Sequence, residues 1–420
     1  MRLVRKTLIL NRKELTFRKK DLLNTIIKEY LRVLNFTCLQ LPVCYSSSEL
    51  HQKTYKSIRK TSFLPSDVIQ EARKDIWKLK KVVNKKTLKD KSRINLNNCS
   101  IRLNKRWFKF ILTNKGYPCF KLTYRPKKTF VIPIKIDNQF KRFTDYTKDE
   151  WKFDNISLLK NGNIAVVLEK EFEEPKITQT NILGVDVGSA TLAAVTILNS
   201  KTGKVKKQLY FGRDVAIKQK KFDKRRSKLK SLADKGSNQA KKSLKRLKHK
   251  QRNFVKTRSG QVAKEIVNLA KEYNCSVAVE KLKNLRGIKT KKGQKGNSNK
   301  KGRKKINRIP YHQFNQFLET NCSISEIPYN LYDPYHTSKF CSNCGAINSG
   351  HLSTNYSLYK CRKCGRICNS DRNASKNVAI KSLLERNLQV ATLRPSFLRD
   401  EVFVNNLLRP KDIELIKSIV

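Results

Sequence analysis

Cys341-Ser342-Asn343-Cys344 and Cys361-Arg362-Lys363-Cys364 form two C-x2-C pairs with sixteen residues between them. Two thiolates from each pair complete a tetrahedral shell, and the spacing falls inside the zinc-ribbon range. Gly345 and Gly365 follow the pairs, where a tight knuckle needs a residue tolerant of unusual dihedrals. Four thiolates leave no open position, so a Zn2+ held there is expected to be structural and to fix the loop before Asp371. Cys368 and His351 stand nearby as spare donors.

A second chemistry lies in three carboxylates. Asp186 sits inside the apolar run Ile182-Leu183-Gly184-Val185-Asp186-Val187-Gly188, Glu280 ends the apolar stretch 275–279, and Asp371 opens a helical segment. An acid desolvated within a strand is costly unless a cation compensates it. Taken alone, Asp186 reads equally well as a strand-end acceptor for a neighbouring amide. Three acids delivered to one place by separate elements suit a divalent ion, and hard Mg2+ or Mn2+ prefers oxygen.

Periodicity shows the elements that must position these residues. Residues 1–10 form one strand, and helices are expected over about 19–35 and from Ser66 or Asp67 to Val82. Period-two stretches follow at 107–112, 119–124, 129–136, 155–159 and 164–168, with Asn161-Gly162 between the last two predicting a type I′ hairpin. With the first strand they predict a β-barrel or sandwich interrupted by the helices. A polar linker covers 171–180. Strands at 182–187, 192–198 and 205–211 then make an antiparallel meander, followed by helix and the strand that ends in Glu280. That is how an RNase H-like α/β domain begins. An amphipathic helix is expected over 261–273, another over 311–319, and a core strand over 327–332.

At 420 residues the chain has room for two or three domains, and its 93 basic against 33 acidic residues give a formal net charge of +60. Such self-repulsion calls for a polyanionic partner. Residues 218–252 hold 16 basic residues against two acids, read as two basic helices broken near Gly236. Lys224, Arg225, Arg226, Lys228, Lys241, Lys242, Lys245 and Arg246 are their candidate nucleic-acid contacts. Residues 286–308 add 11 basic residues, no acid and four glycines, an arm expected to order on nucleic acid; a nuclear-localisation signal is the other reading of that run. No apolar run approaches the roughly 18 residues of a membrane span, and the start lacks the apolar core of a secretory signal. Six of the 11 cysteines are scattered and five cluster at 341–368, which reads as metal binding in a reducing compartment. The protein is expected in the cytoplasm beside the nucleoid if the host is prokaryotic and in the nucleus if it is eukaryotic.

Four motifs in register carry a resemblance: Gly184-Val185-Asp186-Val187-Gly188, Val279-Glu280-Lys281-Leu282, Thr337-Ser338-Lys339-Phe340-Cys341-Ser342-Asn343-Cys344-Gly345 and Asp371-Arg372-Asn373-Ala374-Ser375-Lys376-Asn377. In this order they resemble the TnpB family, transposon-encoded relatives of type V CRISPR effectors and of Fanzor proteins. The resemblance is dense over about 181–380 and sparser over 1–172. It implies an RNA-guided DNA endonuclease. The implied architecture is a wedge β-barrel (1–10 and 97–178) with a helical recognition insertion (11–96), a RuvC-like nuclease domain (181–335 and 369–420) and a zinc ribbon (336–368). By position, Asp186, Glu280 and Asp371 are the implied Mg2+ or Mn2+ ligands of a two-metal hydrolysis, with guide RNA and double-stranded DNA as partners. The arm at 286–308 is unusually long and basic, and some 40 residues follow Asn377 without a motif. The competing readings are a catalytically idle DNA-binding accessory of transposition and an unguided RuvC-type nuclease.

Overall fold

A computed structural model describes residues 2–80, 96, 99–125, 127–175, 178–282, 307–347, 357–389 and 405–410. Most of the basic arm at 286–308, His351 and most of the C-terminal segment lie outside the described residues. The chain divides into two compact units, Leu3–Glu171 and Phe172–Val420, the latter joined by Met1–Arg2.

The first unit holds β1 (Arg2–Leu10), α1 (Phe17–Gln40), α2 (Ser47–Thr61), α3 (Ser66–Lys80), β2 (Ile101–Leu103), β3 (Phe108–Leu112), β4 (Pro118–Arg125), β5 (Lys128–Pro133), α4 (Asn138–Lys148), β6 (Lys152–Leu158) and β7 (Ile164–Phe172). Helix α2 is additional to the two helices the periodicity predicts; it is short and polar, with only Leu50, Thr54 and Ile58 buried. Helix α4 was hidden among period-two stretches and is announced by its N-cap, Asp137, whose carboxylate accepts from Gln139 and Phe140. The strands form two sheets, ordered β1-β7-β6-β2 and β3-β4-β5. One isolated bridge, Arg12 to Ile134, links their backbones among the described residues, so the ladder is not one continuous closed cylinder. Phe108, Phe110, Phe143 and Phe153 pack between sheets and α4, with ring centroids 5.5 Å apart for Phe110–Phe143 and 5.6 Å for Phe143–Phe153. The Asn161-Gly162 hairpin forms, but not as a type I′ turn. Only Gly162 takes positive φ, at 81°, and its amide bonds to Leu159 O, the pattern of a three-residue loop with a bulge.

The second unit holds β8 (Asn181–Asp186), β9 (Ala193–Asn199), β10 (Val205–Phe211), α5 (Arg213–Asp234), α6 (Asn238–Glu272), β11 (Cys275–Glu280), α7 (Tyr311–Ile324), β12 (Tyr329–Tyr332), β13 (Leu358–Lys360), β14 (Ile367–Asn369) and α8 (Ser370–Gln389). The separate amphipathic helix expected at 261–273 is the last part of the single 35-residue α6. Its apolar face carries the helix past the basic part without a break signal, and the break near Gly236 is real, with φ 99°.

The sheet order is β10-β9-β8-β11-β12, antiparallel through β8 and parallel from β8 to β12. Strand β8 is apolar on both faces because both faces are covered. Leu183 and Val185 pack with Val277, Val279 and the α6 residues Val262, Ile266 and Val267. Ile182 and Ala278 pack on the other face with Val378, Ala379 and Leu383 of α8, joined by Leu407 and Leu408 from the C-terminal segment. The alternation therefore assigns even-numbered residues of β8 and β11 to the α8 face.

Candidate functional site

That alternation builds the acid cluster. Asp186 follows Ile182 and Gly184 on the α8 face, Glu280 follows Ala278 on the same face, and Val185 pairs with Val279 in parallel register. Both carboxylates thus leave the C-terminal ends of adjacent parallel strands, where α/β sheets bind ligands. Helix α8 brings the third. Asn369 caps its start, its side-chain oxygen accepting from the amides of Asp371 and Arg372 at 3.0 and 3.2 Å. Asp371 Oδ2 accepts from the Thr191 hydroxyl at 3.4 Å, and a Cβ on Gly188 would lie 3.7 Å from the same oxygen.

The acids feel one another. Burial, then Glu280, then Asp371 push the Asp186 carboxyl well above the usual carboxylate range. Burial also raises Glu280, which is 7% exposed, while the Thr337 hydroxyl and the Lys381 ammonium pull it back. Repulsion among clustered acids is what a divalent cation relieves, and the donors are all hard oxygen, so the residues fit Mg2+ or Mn2+. The three carboxylates are not drawn together as tightly as the thiols described next.

The four sulfurs of Cys341, Cys344, Cys361 and Cys364 all lie within 4.8 Å of one another, with 3.8 Å between Cys341 and Cys364 and 3.6 Å between Cys344 and Cys361. A tetrahedron with zinc–sulfur bonds of about 2.3 Å has edges of about 3.8 Å. The donors and their spacing fit Zn2+. Both knuckles share one backbone design. The amides of Gly345 and Gly365 bond to the carbonyls of Cys341 and Cys361 at 3.0 and 3.1 Å, with φ 73° and 70° at the glycines. Burial opposes ionisation of Cys361, yet the amides of Cys364 and Lys363 and the neighbouring thiols bring it down to about 6, poised for metal binding. Cys368 is outside the group of four and packs against it from β14.

The segment Asp371–Asn377 has a second role that its spacing alone did not disclose. Asn373 donates to Phe340 O at 2.7 Å and accepts from Ser342 N at 3.1 Å; Lys376 donates to Ser342 O at 2.9 Å; Asn377 donates to Thr337 O and Phe340 O, each at 2.7 Å. One helical stripe therefore holds the first zinc knuckle against the helix that carries Asp371. The i, i+4 spacing of Asn373 and Asn377 was the available signal. Lys381, one turn further on and fully buried, donates to Leu407 O at 3.0 Å. Asn406 donates to Gly345 O at 3.1 Å and its carbonyl lies 3.1 Å from His336 Nδ1, so the C-terminal segment also braces the knuckle.

The basic residues form a separate surface. Helices α5 and α6 pack as a hairpin, with Phe222 and Phe254 rings 6.2 Å apart. Lys224, Arg225, Lys228, Lys241, Lys242, Lys245 and Arg246 are exposed and make no ion pair among the described residues. Arg226 differs: it is half-buried, pairs with Asp223 at 3.2 Å and bonds to Gln251, so it ties the hairpin together.

Residues 164–290 match the family described as "Probable transposase", and residues 311–378 match "Cas12f1-like, TNB domain". A TnpB-like protein of Aquifex aeolicus is 30% identical over 235 residues, 52% of this chain and 74% of that one. The Cas12f1 CRISPR-associated endodeoxyribonuclease of Sulfoacidibacillus thermotolerans is 29% identical over 143 residues, 34% of this chain and 31% of its own length. The chain spans less than half the length of the Cas12f relatives it matches. In a Cas12f1–sgRNA–target DNA complex the protein superposes with a TM-score of 0.59 at 18% identity, over 86% of this chain and 81% of that one. The likeness and the cysteine cluster define the class, an α/β fold shared with Cas12f1 and carrying a zinc-binding region. The chain belongs to the TnpB family.

Proposed function

We propose that this protein is an RNA-guided DNA endonuclease that hydrolyses phosphodiesters at the Asp186–Glu280–Asp371 cluster. The observation that carries the reading is the meeting of three carboxylates from two strand ends and one helix start, two of them raised by burial. Asp186, Glu280 and Asp371 would hold Mg2+ or Mn2+. Bound there, a pair of such ions supplies an activated water and stabilises the leaving oxygen. The chain's own residues position the acids. Thr191 orients Asp371, Asn369 fixes the turn that presents it, and Asn377, bonded to Thr337 O, steadies the residue whose hydroxyl bonds to Glu280.

In this reading the second unit's sheet is an RNase H-like nuclease core. The two-sheet unit with α4 is the wedge barrel, α1, α2 and α3 are its recognition insertion, and the exposed cations of α5 and α6 contact the phosphates of guide RNA and DNA duplex. Sequence choice then comes from base pairing, with the protein sensing heteroduplex shape and a short flanking motif. The relatives' names support the nuclease assignment.

The experiment is cleavage by the copurifying ribonucleoprotein. Asp186→Ala, Glu280→Ala and Asp371→Ala should each reduce cleavage to background while nucleic-acid affinity stays within about twofold, because one lost ligand disables the site and leaves the basic surface intact. Chelation should do the same to the parent. A single variant cutting at the parental rate removes that residue from the site.

A further inference from the structure

A cavity of about 110 Å³ opens beside the acid cluster, between the 188–192 loop, α5 and residues 308–310. We propose that it seats one unstacked base of the DNA strand presented for cleavage, an inference that rests on the nuclease reading above. Its walls are mostly apolar, with Leu192, Val215, Ala216, Ile309 and Pro310 forming the larger part and Ser189 and Gln219 adding polar atoms that can meet a base edge. An enclosed cavity of about 150 Å³ lined by aliphatic side chains takes benzene, so this one, which opens to solvent, can seat about one ring of a ligand whose remainder lies outside.

Two features select a base attached to a nucleic-acid backbone. The rim carries Lys220 and Arg308. Lys220 is exposed and has no ion pair among the described residues, whereas Arg308 is anchored by Asp223, which keeps one cation fixed and one free to meet a phosphate. Location is the second feature. Gly188 and Thr191 line the cavity, and the same two residues adjoin Asp371 Oδ2, so a single loop separates the seat from the acids. A base held there belongs to a nucleotide next to the scissile phosphate. Duplex DNA cannot supply it without unstacking, at a cost of a few kcal/mol. The cavity therefore favours strands already opened by pairing of their complement elsewhere, and it fixes which phosphate lies over the carboxylates.

The test scans the wild-type ribonucleoprotein across targets carrying one abasic site at each position around the cut. Removal of the base at one flanking position should slow single-turnover cleavage about tenfold or more, in line with the value of a seated base, and neighbouring positions should have little effect. Ala216→Phe, which fills the cavity from the surface of α5, should slow the intact target similarly and the abasic target no further. Equal rates at every abasic position, or an Ala216→Phe penalty that is the same on both targets, would overturn the seat. If the wild-type complex cuts no target, the nuclease reading fails by itself. The seat is then decided by 5-fluorouracil, a single-ring base, in a single-stranded oligodeoxynucleotide: a 19F chemical-shift change on binding that Ala216→Phe abolishes supports it, and an unchanged shift rejects it.

Discussion

Asp186 shows how one residue is made expensive on purpose. Its strand neighbours Val185 and Val187 are buried, and Glu280 and Asp371 stand close enough to oppose its charge. Because its folded-state carboxyl is raised above the unfolded value, the protonated form favours the fold. That contribution is fully present below the ordinary carboxylate range and is lost as pH rises through the raised folded value. Without added Mg2+ or Mn2+, the unfolding midpoint should therefore fall as pH rises out of the ordinary carboxylate range. Asp186→Asn should flatten that dependence and raise the unfolding midpoint of the protein without Mg2+ at pH above the raised folded value of the carboxyl, at the cost of activity. Calorimetric or fluorescence melts with and without Mg2+ measure both. A variant no more stable than the parent without Mg2+ would mean that the charge on Asp186 is already compensated.

At the scale of elements, α8 is a bracket between the sheet and the zinc region. It lies so close to β8 that a Cβ on Gly184 would sit 2.3 Å from Ser375 O and 2.7 Å from Ala379 N. Backbone atoms cannot swing aside as a flexible side chain can. Gly184→Ala should destabilise by about 3 kcal/mol or more and displace α8, with Asp371 on it, read as a lowered unfolding midpoint and weakened cleavage together. The zinc knuckle is the other end of the bracket. Cys341→Ser and Cys361→Ser should each lose about one equivalent of zinc and gain protease sensitivity near 335–370. Retention of full zinc in both variants would contradict the four-thiol site.

For the whole molecule, charge is the governing quantity. A formal net charge of +60 exceeds what one short duplex neutralises, and exposed cations of the α5–α6 hairpin, the seven named above among them, make no ion pair among the described residues and offer part of it to a partner. Replacing Lys241, Lys242, Lys245 and Arg246 by Ala should lower the slope of log affinity against log salt by about three, with equal losses on unrelated duplex sequences. A loss confined to one sequence would point to base contacts instead. The parent should carry a discrete RNA through moderate salt, and changing the 3′ segment of that RNA should redirect cleavage. RNA-free protein that cuts the same position equally well would replace the guided reading with an unguided nuclease.

Much of this was written in local sequence. The strands of the second unit's meander, the Glu280 strand and the knuckles follow from short apolar runs bounded by turn residues and from cysteine spacing, because both are short-range properties of the chain. The local signals were weaker in the first unit. There α2 buries few residues and α4 has one buried residue, Phe143, so neither declares itself through an apolar stripe. The hairpin at Gly162 differs from its expected turn because Asn-Gly is compatible with more than one loop, and the strand register selects among them. What only the tertiary structure decided is which residues meet. Asp186 and Glu280 share a face because β8 and β11 pair in one register, a match between residues about ninety positions apart. The stripe Asn373–Lys376–Asn377 and the insertion of Leu407 under Lys381 likewise depend on carbonyls and cavities supplied by distant segments. Side-chain chemistry names the candidates. Long-range packing alone brings them within reach of one another.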